Sequence, residues 1–213
     1  MWVNNQEKQV RPSGWQPWAN TLAYYPLKND CNDYSWNNRN GTGSNIQFIW
    51  GYAYWNGSDS TMSSTITNDS NKTVSLWVKW DSPNEWDFVA SCWNSQGGSY
   101  YHQSIAVWTG IKWAVTVKNS RDYVSNSSVS NTRTHICVTF TSGNSKLYVN
   151  GEYQWANTYT YSSLSTNFTL FSRYNASWNF FKGYLSNVIV ESSIWTDQEV
   201  ADYYNLTKSN YGL

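Results

Sequence analysis

An all-β fold, either a sandwich or a closed barrel, is what this chain of 213 residues predicts. Three observations point there. The stretch KLYVNGEYQWA, residues 146–156, alternates apolar Leu147 and Val149 with Lys146, Tyr148 and Asn150, then turns at Asn150-Gly151 towards Tyr153 and Trp155. Alternation with period two marks a strand with one buried face, and Asn-Gly favours a two-residue hairpin turn because both central residues need positive φ. Strand-like runs then recur along the chain with turn residues between them, as many-stranded sandwiches and barrels require. Finally, the aromatic fraction is 18% and the net charge is zero, so the chain can bury a core and is not of the disordered class.

The runs are IQFIWGYAYW (46–55), TVSLWVKW (73–80), DFVASCW (87–93), QSIAVWT (103–109), KWAVTVK (112–118), HICVTF (135–140), KLYVN (146–150), NFTLFSR (167–173) and GYLSNVIVE (183–191). Asn, Ser, Gly and Asp fill the gaps, as at 94–99 and 142–144. In HICVTF, Ile136, Val138 and Phe140 share one face while His135, Cys137 and Thr139 share the other, which suits a sheet packed on one side. One helix is expected, near the C-terminus. Thr196 and Glu199 in TDQE form a capping box, and Val200, Tyr203 and Tyr204 follow on one side at helical spacing. Such a helix is expected to cover a sheet edge. The first 18 residues differ: Pro12, Gly14 and Pro17 interrupt any regular element, while Trp2, Trp15 and Trp18 are costly to leave in water. Residues 1–18 therefore read as an attachment arm and 19–213 as a single β domain.

Composition also excludes partners. Only 13% of residues are charged and no basic run occurs, so the phosphate-neutralising surface that nucleic acid demands is missing. No stretch approaches the ~20 apolar residues of a membrane helix, and the N-terminus has no apolar signal-peptide core. With no such signal, Cys31, Cys92 and Cys137 are expected to be reduced thiols.

Catalytic patterns are thin. Glu85 and Asp87 in NEWDFVA are the one carboxylate pair two residues apart near a strand, as a retaining glycosidase with carboxyls ~5–5.5 Å apart would need. Pro83 and Asn84 make this segment a turn, so the pair reads as a solvated hairpin tip. His102 and His135 lack metal-ligand spacing to each other or to the cysteines.

The motifs TVSLWVKW, THICVTFTSGNSKLYVNGE and FFKGYLSNVIVESSIWTDQEVADYY, in that order, resemble the laminin-G-type, concanavalin A-like family. LAYYPLKNDCNDYSWNNRNGTG resembles that family's opening strand and its Asp/Asn/Gly-rich loop. The resemblance spans about residues 20–205 and implies a two-sheet antiparallel jelly-roll sandwich with one short C-terminal helix. The related glucanases resemble Glu-x-Asp-x-Glu, whereas Val89 stands at the third position here, so no enzyme is expected. Related domains often bind calcium, which makes Asp30 and Asp33, in the loop reaching Gly43, the candidate ligands. The alternative for that loop is Asx turns closed by its own side chains. Calcium is the one cofactor raised.

Fifteen Trp and 17 Tyr exceed what such a core needs. Trp77 and Trp195 are assigned to the core. Trp36, Trp55, Trp93, Trp155 and Trp178 lie in or beside turns and are the candidate contacts for a glycan or a protein partner, since flat rings stack on sugars and also anchor protein interfaces. WVNNQEKQVRPSGWQPWANTLAYYPL further resembles the start of some phage virion and tail proteins. The function expected first is thus a non-enzymatic virion component, a capsid decoration or tail adhesion protein that joins virion proteins or identical subunits through its arm. The alternative is a lectin-like carbohydrate-binding module of a cell-surface or secreted protein, with surface glycans as partners. A glycoside hydrolase ranks last.

Overall fold

The computed structural model describes residues 20–66, 71–82, 84, 87–96, 99–108, 112–117, 124–158, 160, 167–170 and 180–213. Trp2, Trp15, Trp18, Glu85 and Trp178 lie outside these residues, as does the side chain of Trp93. In chain order the strands are β1 (Thr21–Tyr25), β2 (Thr42–Ser44), β3 (Gln47–Ile49), β4 (Tyr52–Asn56), β5 (Thr61–Ser64), β6 (Lys72–Trp80), β7 (Phe88–Gln96), β8 (Ser99–Trp108), β9 (Lys112–Val117), β10 (Val124–Ser128), β11 (Thr134–Phe140), β12 (Ser145–Val149), β13 (Glu152–Asn157), β14 (Asn167–Leu170) and β15 (Lys182–Glu191). Helix α1 (Asp197–Thr207) follows and runs into a 3₁₀ turn at Lys208–Tyr211.

The strands form two antiparallel sheets. The first has eight strands in the order β13-β12-β11-β6-β15-β4-β3, with β1 also on β15, and the second has seven in the order β10-β9-β8-β7-β14-β5-β2. This is the jelly-roll sandwich the sequence predicts. The period-two alternation sends Val74, Leu76, Val78 and Trp80 of β6 inward, where they meet Ile105 and Val107 of β8, Trp113 and Val115 of β9, and Phe168 and Leu170 of β14 in one core. Trp80 lies edge-on to Trp113 at 5.3 Å and to Phe181 at 4.5 Å, the geometry that opposed ring quadrupoles favour. Each such side chain, fully buried, stabilises the fold by roughly 1.5–3 kcal/mol before entropy is counted.

The Asn150-Gly151 hairpin forms as expected. Asn150 has φ 51° and Gly151 φ 79°. The Asn150 N–H donates to the His135 carbonyl at 2.8 Å, and the His135 N–H donates to the Asn150 side chain at 3.0 Å, which pins the turn to β11. The run 46–55 is not one strand. It is a second tight hairpin, β3 and β4, joined by Trp50-Gly51. Strand β15 carries a bulge at Asn187 (φ 49°), where the register with β6 slips. The slip divides its other edge: residues 182–185 pair with β4, and residues 188–191 pair with β1.

Two sequence expectations need correction. The capping box of α1 forms, with the Glu199 N–H donating to Thr196 Oγ1 at 3.2 Å and the Thr196 N–H to Glu199 Oε2 at 2.7 Å. The helix does not cover a sheet edge, however. It lies on the outer face of the eight-stranded sheet, where Val200, Tyr203 and Trp195 pack with Cys137, Tyr148 and Ile189 in a second cluster. Consequently all seven residues of β11 are buried, and the sheet is covered on both faces rather than one. Trp77 belongs to this outer layer. It stacks on Tyr211 at 4.0 Å and on Tyr204 at 5.8 Å, and its indole N–H donates to Thr207 Oγ1 at 3.2 Å. Cys31 and Cys137 are free thiols. No helix among the described residues is long and apolar enough to cross a membrane.

Candidate binding edge

Asp33 organises the loop between β1 and β2. Its Oδ1 accepts the N–H groups of Tyr24 (2.9 Å) and Ser35 (2.8 Å), and its Oδ2 accepts the Ser35 hydroxyl (2.9 Å) and the Arg39 N–H (3.0 Å). Asp30 accepts the Asn32 N–H and side-chain amide and the Tyr34 hydroxyl. Both candidate calcium ligands are therefore turned to donors of their own loop, the Asx-turn arrangement. With two donors aimed at each of its oxygens, the Asp33 carboxylate is taken up by its own loop.

The same hydrogen bonds present Trp36. Ser35 is held by Asp33, and the Asn37 amide donates to the carbonyl of Thr21 at 2.7 Å and of Leu22 at 3.3 Å. Between these anchors Trp36 takes φ 74° and is 72% exposed. Trp50 repeats the pattern elsewhere. It is the first residue of the two-residue turn closed by Ile49 and Tyr52, with φ 52° followed by Gly51 at 78°, and it is 88% exposed. This is the turn that Asn-Gly serves best, and a bulky residue at positive φ is strained by about 1–3 kcal/mol. Exposing a large ring there also forfeits its burial.

The candidate aromatics sort clearly. Trp36 is exposed as expected. Trp55 is not a surface contact: it shares the inward face of β4 with Ala53 and is fully buried, because alternation from Tyr54 points it into the core. Trp155 is half-buried on β13, opposite Leu147. Trp93 has its backbone in β7, paired with His102 and Asn167. Trp50 was missed, hidden inside a run read as one strand. Its signal was the change of alternation phase at Trp50-Gly51.

Asp87 also departs from expectation. It is buried rather than a solvated tip, with its carboxylate accepting the Asn84 N–H at 3.1 Å, and burial pushes its pKa up to about 6. An open cleft of ≈ 480 Å³ lies beside the start of α1, between Thr141, Asn144, Lys146 and Asp197. There Lys146 and the Tyr148 hydroxyl both reach Asp197 Oδ1 at 2.7 Å. The one aromatic ring of its wall, Trp195, is buried, so the cleft offers no flat exposed face.

Two antiparallel sheets packed as a jelly-roll sandwich define the concanavalin A-like class of fold. The chain belongs to the concanavalin A-like lectin/glucanases superfamily, whose family model matches residues 54–201. No curated protein matches the chain significantly. Among solved structures, domain 4 of AbnA, a GH43 extracellular arabinanase from Geobacillus stearothermophilus in complex with arabinotriose, is similar with a TM-score of 0.68 and 20% identity, over 86% of this chain and 97% of that one. Trypanosoma rangeli sialidase in complex with sialic acid is similar with a TM-score of 0.73 and 12% identity, over 94% of this chain but 35% of that one. The receptor-binding domain of botulinum neurotoxin type G follows at 0.62 and 15%, over 88% of this chain and 51% of that one. At these identities the likeness concerns the fold. The chain spans about a third of the sialidase and half of the toxin domain.

Proposed function

We propose that this protein is a non-catalytic carbohydrate-binding module that holds glycans against Trp36 and Trp50. The observation that carries the proposal is Trp50: an almost fully exposed indole held at φ 52° in a turn whose geometry calls for asparagine. Strain of this kind is retained where it serves a site, and an exposed flat ring beside polar loop residues suits the apolar face of a sugar. Asn38, exposed two residues after Trp36, supplies an amide for sugar hydroxyls. The arabinanase domain in complex with arabinotriose, which this chain matches over nearly that domain's whole length, supports the same class of ligand. The virion role draws on the resemblance of residues 2–27, the absence of a signal-peptide core and the low charge, and it has no support from the fold or its similar structures, so it is not part of the proposal.

Affinity electrophoresis through gels containing arabinan, xylan, β-glucan or galactan tests this. Wild-type protein should be retarded by at least one of them, and Trp36→Ala with Trp50→Ala should migrate freely while melting at the wild-type temperature. Hydrolysis of any of these polymers would overturn the non-catalytic part, and unchanged retardation of the double variant would overturn the site.

A further inference from the structure

We infer that Trp36 and Trp50 are the two ends of one continuous edge that takes an extended, uncharged oligosaccharide chain lengthwise, an inference that rests on the glycan-binding function proposed above. Strand register places both on the same side of β15. The β4 pairing ends at Ala53–Leu185, and the β1 pairing begins at Tyr25–Val188. The Trp50-Gly51 turn, immediately before Tyr52, therefore stands where β15 passes from one neighbour to the other. There the Asn187 N–H donates to the Pro26 carbonyl at 3.2 Å, tying the end of β1 to the bulge. Trp36 is anchored at the opposite end of β1, through the Asn37 amide on the Thr21 carbonyl. Five residue steps along β1 and its end separate the Thr21 and Pro26 carbonyls, roughly 16 Å at about 3.3 Å per residue. That span exceeds one sugar ring and matches a short chain laid along the strand.

Charge selects the ligand further. Along this edge Lys28 and Arg39 are offset by Asp30 and Asp33, and the Arg39 guanidinium donates to the Leu22 carbonyl at 3.0 Å. At the Trp50 end the Arg133 guanidinium lies over the Tyr52 ring at 3.6 Å, so two of the edge's three cations, Arg39 and Arg133, are turned to the protein's own carbonyl and ring, which weakens any preference for sulfated or carboxylated chains over neutral ones. Rigid anchoring at both ends, through Asp33 at one and the tight turn at the other, lowers the ordering cost of binding.

The test is isothermal titration of the full chain with linear arabino-, xylo- and cello-oligosaccharides from disaccharide to hexasaccharide, with heparin-derived oligosaccharides as the anionic arm. The expected result is one site per chain, with affinity rising with chain length in one neutral series. Trp36→Ala and Trp50→Ala should each weaken the hexasaccharide about tenfold or more, as loss of a tryptophan anchor does, whereas the disaccharide should respond to one of them alone. Two sites per chain, or equal losses at every length, would overturn the continuous edge while leaving glycan binding intact. Tighter binding of the heparin series would overturn the uncharged class. No binding in any series, together with no retardation in the gels, would overturn the functional proposal as well.

Discussion

Gly151→Val is expected to lower the melting temperature by on the order of 10 °C and to loosen α1 from the sheet. Two costs add. Gly151 sits at φ +79°, where a β-branched residue is strained by about 1–3 kcal/mol. A Cβ there would also fall 2.9 Å from Tyr204 Cβ and 3.0–3.1 Å from its ring atoms. Overpacking of that kind costs about 1–3 kcal/mol. Tyr204 stacks on Trp77, so the displacement passes directly to the helix covering the outer face. The check is thermal melting followed by near-ultraviolet circular dichroism. In a Tyr204→Ala background the valine should cost less, because the clash is gone and the strain at φ remains. A wild-type melting temperature for Gly151→Val would contradict both the turn and its contact with α1.

Acid is expected to act through His135. Its Nε2 lies 2.8 Å from Ser75 Oγ, while its Nδ1 is buried with no hydrogen-bond partner among the described residues. The ring is enclosed by Trp77, Tyr203 and Tyr204 at 5.3–6.0 Å. Burial therefore pushes its pKa down from 6.5 to about 3. For a base lowered on folding, the stabilisation is complete above the unfolded value of 6.5 and is lost as pH falls towards 3. Between pH 6.5 and 4 the loss should amount to about 2–4 kcal/mol. Asp87 works in the opposite sense. Its folded pKa is raised to about 6, so it favours the fold as pH falls through 6 towards 3.8. Denaturant unfolding at pH 7 and pH 4 separates the two. Asp87→Asn should steepen the acid loss, and His135→Phe should abolish it. Equal pH dependence in Asp87→Asn and His135→Phe would contradict the assignment.

The parts legible in the sequence are those written in short-range alternation. Leu76, Ile136, Val138 and Leu147 announced their strands, Asn150-Gly151 its turn, and Thr196 with Glu199 the helix start. What alternation does not carry is which faces meet. Trp77, His135 and Tyr204 are far apart in the chain, and their joint burial depends on α1 folding back across the sheet. Trp55 reads as a turn residue because it ends its strand-like run, whereas its parity with Ala53 places it in the core. Trp50 went unseen for a different reason: tryptophan is not a turn-forming residue, so nothing local marked the break between Ile49 and Tyr52 except the shift in alternation phase. The disagreement between residue type and backbone at Trp50 is what the proposed glycan site rests on, and it becomes visible once φ is known.

If Trp50 is kept for a ligand at the expense of the fold, Trp50→Asn should separate binding from stability when both are measured on one preparation. Asparagine is the residue this turn favours, and relief of the strain at positive φ is worth about 1 kcal/mol or more, a rise of roughly 2–4 °C in melting temperature. The expected result is that rise together with loss of retardation by the polysaccharide that binds the wild type. A lower melting temperature with polysaccharide binding intact would contradict it, because Trp50 would then be serving the fold.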